Sequence, residues 1–298
     1  GATTESPRRA LEAVLAYLQS VDADAAARHK AIIDPLLGAD ADWEGPAATL
    51  QAEIMARLMA PPNAQAPAAA PDPATLFGIS PRAQNLRLAV ENLDAELRLR
   101  QPELAAHSTR RAFNDAMHDV AVARNLLELH AALAQRAPLG TLVSMRDQMA
   151  ADHLTYITER ENGGKVVVHL HNAHLRRTRT KLPWYEFLPT GAHLDQIYGP
   201  RFAVIGGALG ASPENFVEAP EAGSLEARLL ARGADCFLPT WRGQKLPEGA
   251  LAALPVRSRA TRPYITYEPL TPQWVADLDV IAFFRTVTHT RGMPAWPG

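Results

Sequence analysis

The sequence predicts an α/β protein: a mostly helical first region, residues 1–160, and an α/β region, residues 161–298. Two observations carry this. In the first region apolar residues recur at i, i+3, i+4 and i+7, as in Leu11, Val14, Leu15 and Leu18, which puts them on one helical face. In the second region the period changes to continuous apolar runs: KVVVHL (165–170), RFAVIGGAL (201–209), DCFLP (235–239) and DVIAFFRTV (279–287). Runs without alternation suit strands buried on both faces, so a mostly parallel sheet with flanking helices is expected, the helical half packed on it. At 298 residues the chain is one large domain or two small ones.

Ser6-Pro7 reads as an N-cap with proline at the first helical position, opening the helix that carries Leu11 to Leu18. Asp22 or Asp24 caps a second helix bearing Ile32, Ile33, Leu36 and Leu37, which Gly38 stops. A short third helix is expected over 46–59. The stretch PPNAQAPAAAPDP (61–73) holds five prolines and accommodates neither helix nor central strand, so 61–80 reads as a loop or linker. Helix resumes from Pro81 to about Arg100. A long helix runs from about Ser108 to Arg136, with Phe113, Met117, Val120 and Leu127 in one stripe and Pro138 and Gly140 ending it. A last helix, about Leu142 to Glu161, stops at Gly163-Gly164. In the second region, residues 263–268 read as an edge strand because of Pro263, and helices fall at 193–198, 225–231 and 272–278.

Composition excludes several classes. Thirty basic residues stand against 32 acidic ones, a formal net charge of −2, which argues against a general nucleic-acid binder. Cys236 is the single cysteine, so neither an internal disulfide nor a multi-cysteine zinc site can form, and a reducing, cytoplasmic compartment is expected. No apolar run approaches the roughly 20 residues that span a bilayer, and no signal-peptide pattern opens the chain. Abundant Ala, Arg and Pro suggest a GC-rich bacterial genome.

The segment most suggestive of chemistry is KVVVHLHNAHL (165–175), a strand-like run ending in His169, His171, Asn172 and His174. Ligands bind at the C-terminal ends of strands in α/β sheets. Three readings are open. A histidine acts as general base, its pKa lying near neutrality; or His169 and His171 ligate a metal; or the histidines cap the strand end. The metal reading suffers because no acidic residue lies between Lys165 and Trp184. On the preceding helix, Arg146 either stabilises an oxyanion or makes an ordinary surface pair with Asp147. The run Arg176, Arg177, Arg179, Lys181 reads as a solvated loop. Trp184 and Tyr185 suit a lid. Gly206-Gly207-Ala208-Leu209-Gly210 lacks the spacing of a phosphate loop, and Cys236 reads as a core residue.

Taken together, SMRDQMAADHLTYI, KVVVHLHNAHL and GAHLDQIYGPRFAVIGGALG resemble the erythromycin esterase-like proteins. An Arg-Asp-x-x-Met-Ala helix followed by a strand ending His-Asn-x-His-Leu is that family's most specific C-terminal signature, and the resemblance covers nearly the whole chain. It implies an α/β fold with a large helical insertion. It also implies hydrolysis of a carboxylic ester or lactone, macrolides among them, by histidine-activated water with no metal and no cofactor. By motif position Arg146, His171 and His174 are the catalytic residues. His169, which departs from the family pattern, is expected to contact substrate with Asn172 and Trp184. The family's N-terminal Gly-Glu-x-x-His-Gly motif, which supplies a glutamate and the main base, has no counterpart here. The resemblance thus implies the C-terminal portion of such a protein, with the first strands missing and completed by another segment or a second chain. A catalytically incomplete pseudoenzyme, or a protein binding a small molecule or partner, is the alternative.

Overall fold

A computed structural model describes residues 5–45, 48–49, 52, 77–182, 185–215, 217–240, 253–258 and 267–288. The chain divides into two units, residues 1–54 with 66–167, and residues 55–65 with 168–298.

The first unit is helical; Asp22 and Gly38 act where the sequence places them, while the N-cap of the first helix is Pro7 rather than the expected Ser6. Ser6 Oγ accepts the N–H of Arg8 at 3.1 Å as the chain enters α1 (Arg8–Val21). Asp22 caps α2 (Ala23–Leu37) by accepting from Ala25 N–H at 2.9 Å, and Gly38 ends it at φ 73°. A helical turn covers 40–45 and buries Trp43, whose Nε1 donates to the Leu37 carbonyl. Of the expected helix 46–59 only residues 48, 49 and 52 are described, and these are helical; the remainder, and residues 61–76 of the proline-rich segment, lie outside the described residues. Residues 77–79 form a single 3₁₀ turn that sets Phe77 edge-on to Trp43 at 4.6 Å. Ser80 caps α3 (Pro81–Leu99), α4 covers Gln101–Ala106, and Thr109 caps α5 (Arg110–Ala134). Helix α6 (Leu139–Arg160) starts three residues earlier than the sequence suggests and takes in Gly140. The Pro138 carbonyl accepts from both Thr141 and Leu142, so a glycine in that first turn does not stop it. Leu11, Val14, Leu18, Leu86, Val90, Leu93, Leu97, Val120 and Leu127 meet in one core.

The second unit contains α7 (Asn172–Leu175), β1 (Thr180–Lys181), β2 (Glu186–Phe187), α8 (Thr190–Tyr198), β3 (Ile205–Ala211), α9 (Leu225–Leu230), β4 (Cys236–Pro239), α10 (Pro272–Asp277) and β5 (Val280–Thr286). The expected mostly parallel sheet is not found: the sheets are small and mixed. Strands β3, β5 and β4 form one sheet in that order, with β3 parallel and β4 antiparallel to β5, while β1 and β2 form an antiparallel pair. The run 165–170 forms no ladder, and Val167 is 95% exposed. A strand lying along β3 would need the outward groups of Gly207, and these are already taken: the Asn172 amide donates to the Gly207 carbonyl at 2.6 Å and accepts its N–H at 3.0 Å. Arg257 occupies the next two positions by donating to the carbonyls of Leu209 and Gly210. Residues 263–266 of the expected edge strand lie outside the described residues, and 267–268 join no ladder.

The glycines of β3 serve packing. A Cβ on Gly206 would come within 2.5 Å of Leu278, and one on Gly210 within 2.4 Å of the Arg285 carbonyl. The apolar core of this unit gathers Val204, Ala208, Leu229, Trp274, Leu278, Ile281 and Phe283. Around it lie buried charges. Arg176 pairs with Asp277 at 2.9 Å and with Glu268 at 3.6 Å, and stacks over Trp274. Arg177 pairs with Asp195 and Asp279. The expectation that Arg176 and Arg177 lie in a solvated loop is therefore corrected; their side chains are only 5% and 7% exposed. The loop before β1 has no partner strand, and these guanidiniums tie it to carboxylates and carbonyls. No helix among the described residues is long and apolar enough to cross a membrane.

Candidate functional site

Two of the three imidazoles singled out by sequence, His171 and His174, stand on one short helical turn of the second unit. His171 is its N-cap: its backbone is extended (φ −62°, ψ 142°), and its Nδ1 accepts the N–H of Ala173 at 3.2 Å. The His171 carbonyl accepts the His174 N–H at 2.9 Å, closing the turn. The two rings then lie 6.4 Å apart, edge to face. His174 packs at 5.3 Å from Phe187, which is fully buried on β2.

Three contacts hold this turn. Asn172 grips Gly207 of β3 through both ends of its amide. Thr180 Oγ1 donates to the Ala173 carbonyl at 2.7 Å. Helix α8 begins hard against it, since a Cβ on Gly191 would fall 2.2 Å from the Leu175 carbonyl. Asn172, expected to contact substrate, thus spends two of its hydrogen-bonding groups on the sheet. His169 is exposed, and Trp184 lies outside the described residues.

Arg146 and Asp147 belong to α6 in the first unit. Arg146 is 45% exposed with its Nε 3.8 Å from Asp147 Oδ1, and Asp147 is buried. Among the described residues no three His, Cys, Asp or Glu side chains are placed to share a metal ion.

A second titratable cluster, between α5 and α6, was not singled out from the sequence. His118 Nε2 and His153 Nδ1 lie 2.9 Å apart, and His118 stacks on Tyr156 at 3.8 Å with parallel planes. Tyr156 donates to Asp115 Oδ1 at 2.6 Å and accepts from Arg160. Burial, then the neighbouring His153, lowers the His118 pKa from 6.5 to about 4. Burial and Asp115 raise that of Tyr156, and burial, then Asp115, raises that of Asp119. With ring centres 5.0 Å apart and nitrogens 2.9 Å apart, the two histidines point their nitrogens at each other. Nitrogens this close are placed to hydrogen-bond each other rather than to converge on a third atom. The signal in the sequence is a spacing: Asp115 and His118, like His153 and Tyr156, are three residues apart on a helix.

Comparison with known proteins agrees with this architecture. The family model described as erythromycin esterase matches residues 1–287. Among solved structures, a variant of the erythromycin esterase EreC in its open conformation is 14% identical, with a TM-score of 0.60 over 94% of this chain and 66% of that one. A succinoglycan biosynthesis protein is 12% identical, with a TM-score of 0.56 over 94% of this chain and 62% of that one. The chain therefore spans just under two thirds of the length of both. No curated protein matches the sequence.

Proposed function

The chain belongs to the erythromycin esterase family, and on that premise we propose that it is a carboxylic-ester hydrolase whose imidazoles, rather than a metal ion, activate water against an ester or lactone. The observation that carries this reading is the imidazole pair on one turn, 6.4 Å between rings and anchored to β3 by Asn172. Ester hydrolysis needs one group to take a proton from water and another to hold the charge that forms on the carbonyl oxygen. Two histidines three residues apart supply both. The water oxygen bonds to the carbonyl carbon, its proton passes to an imidazole, and the carbonyl electron pair moves onto oxygen. Collapse of that adduct expels the alkoxide, which takes the proton back. Arg146 enters as a stabiliser of the oxyanion through its motif alone, and His169 and Trp184 as substrate contacts in the same way. The partner is a small-molecule ester or lactone in a bacterial cytoplasm.

The test is hydrolysis of a panel of aryl esters and macrolide lactones by the chain and by its His174→Ala variant. Loss of a general base is expected to reduce turnover by about 10²-fold or more. Unchanged turnover would sink the assignment. A second reading, binding without turnover, draws on Ile205, Phe237 and Phe284, which are 56%, 68% and 42% exposed on the three strands of the larger sheet. In it, a segment or second chain covers those side chains. Sedimentation as a plain monomer at every concentration would remove that reading.

A further inference from the structure

The turn that carries His171 and His174 is closed by its own residues but placed by a distant one. Nδ1 of His171 accepts the Ala173 N–H at 3.2 Å, and the His171 carbonyl accepts the His174 N–H at 2.9 Å. Bonds between residues two or three apart fix the shape of a turn, not its place on a sheet. Thr180 is also near in the chain, donating to the Ala173 carbonyl from seven residues on.

Asn172 reaches 35 residues further, to Gly207 in β3. Its Nδ2 donates to the Gly207 carbonyl at 2.6 Å, and its Oδ1 accepts the Gly207 N–H at 3.0 Å. A carbonyl only accepts and a peptide N–H only donates, so these partners admit one orientation of the amide. Both bonds go to one residue, which is what a paired strand offers at that position. The side chain is half-buried, so water competes poorly for the same groups. His171 stands immediately before this anchor and His174 two residues after it.

We infer that Asn172 is the positioning residue of the imidazole turn: its two bonds to Gly207 set where His171 and His174 stand relative to β3, and its amide serves the sheet instead of the substrate. The kinetic consequence rests on the hydrolase reading; the tie to β3 does not. Misplacing a reacting group by about 1 Å costs about 10²-fold in rate. That cost falls on turnover more than on binding, because attack geometry matters only in the transition state.

Two substitutions in the full chain test this. Asn172→Ala removes both bonds. Asn172→Asp makes the tie depend on pH. Protonated, the new carboxyl carries one donor and one acceptor and restores both bonds; ionised, it is acceptor-only and opposes the Gly207 carbonyl. Burial and that carbonyl disfavour the charged form, so its pKa lies above the ordinary aspartate value.

Structure is read first, by amide hydrogen exchange and ¹⁵N-histidine spectra. The wild-type Gly207 N–H should be protected. In Asn172→Ala that protection should vanish and the ring signals of His171 and His174 should move, with amides of α5 and β5 unchanged as proof of folding. An unprotected Gly207 N–H in wild type, or unmoved rings in Asn172→Ala, overturns the inference. Turnover of an aryl ester follows. Asn172→Ala should lose about 10²-fold in kcat with KM little changed. Asn172→Asp should match that loss at about pH 8 and regain rate, relative to wild type at the same pH, as pH falls toward about 5. Full activity in Asn172→Ala, a loss confined to KM, or a relative rate for Asn172→Asp that ignores pH overturns the positioning role. A wild type that hydrolyses nothing, with rings that still move in Asn172→Ala, defeats the hydrolase reading and leaves the tie standing.

Discussion

The two units are held together by different means. In the first, long helices satisfy their own backbones, and leucines and valines at helical spacing fill one core. In the second, helices and strands are short and loops are many, so side chains must answer the backbone. Arg176 reaches buried carboxylates and Arg177 half-buried ones, Arg257 donates to three carbonyls, and Glu226 accepts from Tyr267 and from Leu270 N–H. Burial, then Glu226, pushes the Tyr267 hydroxyl well above its ordinary pKa, which keeps it a donor. Where regular structure runs short, stability passes from apolar area to specific polar partners, and the imidazole turn belongs to that second kind.

The contrast can be broken by substitution. The largest effect is expected at Arg176→Ala, which takes the cation away from the buried carboxylates of Asp277 and Glu268 and should cost about 3–5 kcal/mol. Hydrogen exchange should locate the loss in β5 and α10; equal loss in the first unit would erase the distinction. Next is Leu93→Ala, a fully buried leucine in the helical core, at about 2–5 kcal/mol by chemical denaturation, with exchange rising in the first unit. Acid gives a smaller, graded effect. Folded His118 titrates near 4 and unfolded histidine near 6.5. Between those values the unfolded chain binds the extra proton, so this contribution is complete above about 6.5 and falls as pH drops toward 4. His130, whose pKa is lowered by burial, adds in the same sense. A His118→Phe variant should show a shallower fall in Tm between pH 7 and pH 5; an identical fall would clear His118 of the effect. The smallest is Ser80→Ala, which removes the cap on α3 and should cost about 1 kcal/mol in a thermal melt.

Legibility in the sequence followed the same divide. Helix positions in the first unit could be read because each depends on near neighbours: Asp22 and Gly38 act within three or four residues of themselves. The helix before Pro138 and Gly140 does end ahead of them, and the error lay in starting α6 at Leu142, without allowing a glycine a place in its first turn. In the second unit three of the apolar runs became β3, β4 and β5, but their directions and the fate of 165–170 depend on partners over 30 residues away. Nothing local in KVVVHL states that Asn172 will occupy Gly207. The basic run misled for the same reason, as Asp277 and Asp279, which pair with Arg176 and Arg177, lie about 100 residues on. His171 and His174 were visible as a motif, while the N-cap contact of His171 with Ala173 was not.

The outer edge of β3 has a further consequence. An unpaired strand edge is a template on which a foreign chain can assemble, and natural sheets guard against it. Among the described residues no strand lies on that edge of β3; an amide side chain takes the place of one rung of a neighbour, and a guanidinium takes the carbonyls after it. Any strand recruited to that edge has to evict both Asn172 and Arg257 first, so the residue that orients the imidazole turn is also a guard against self-association.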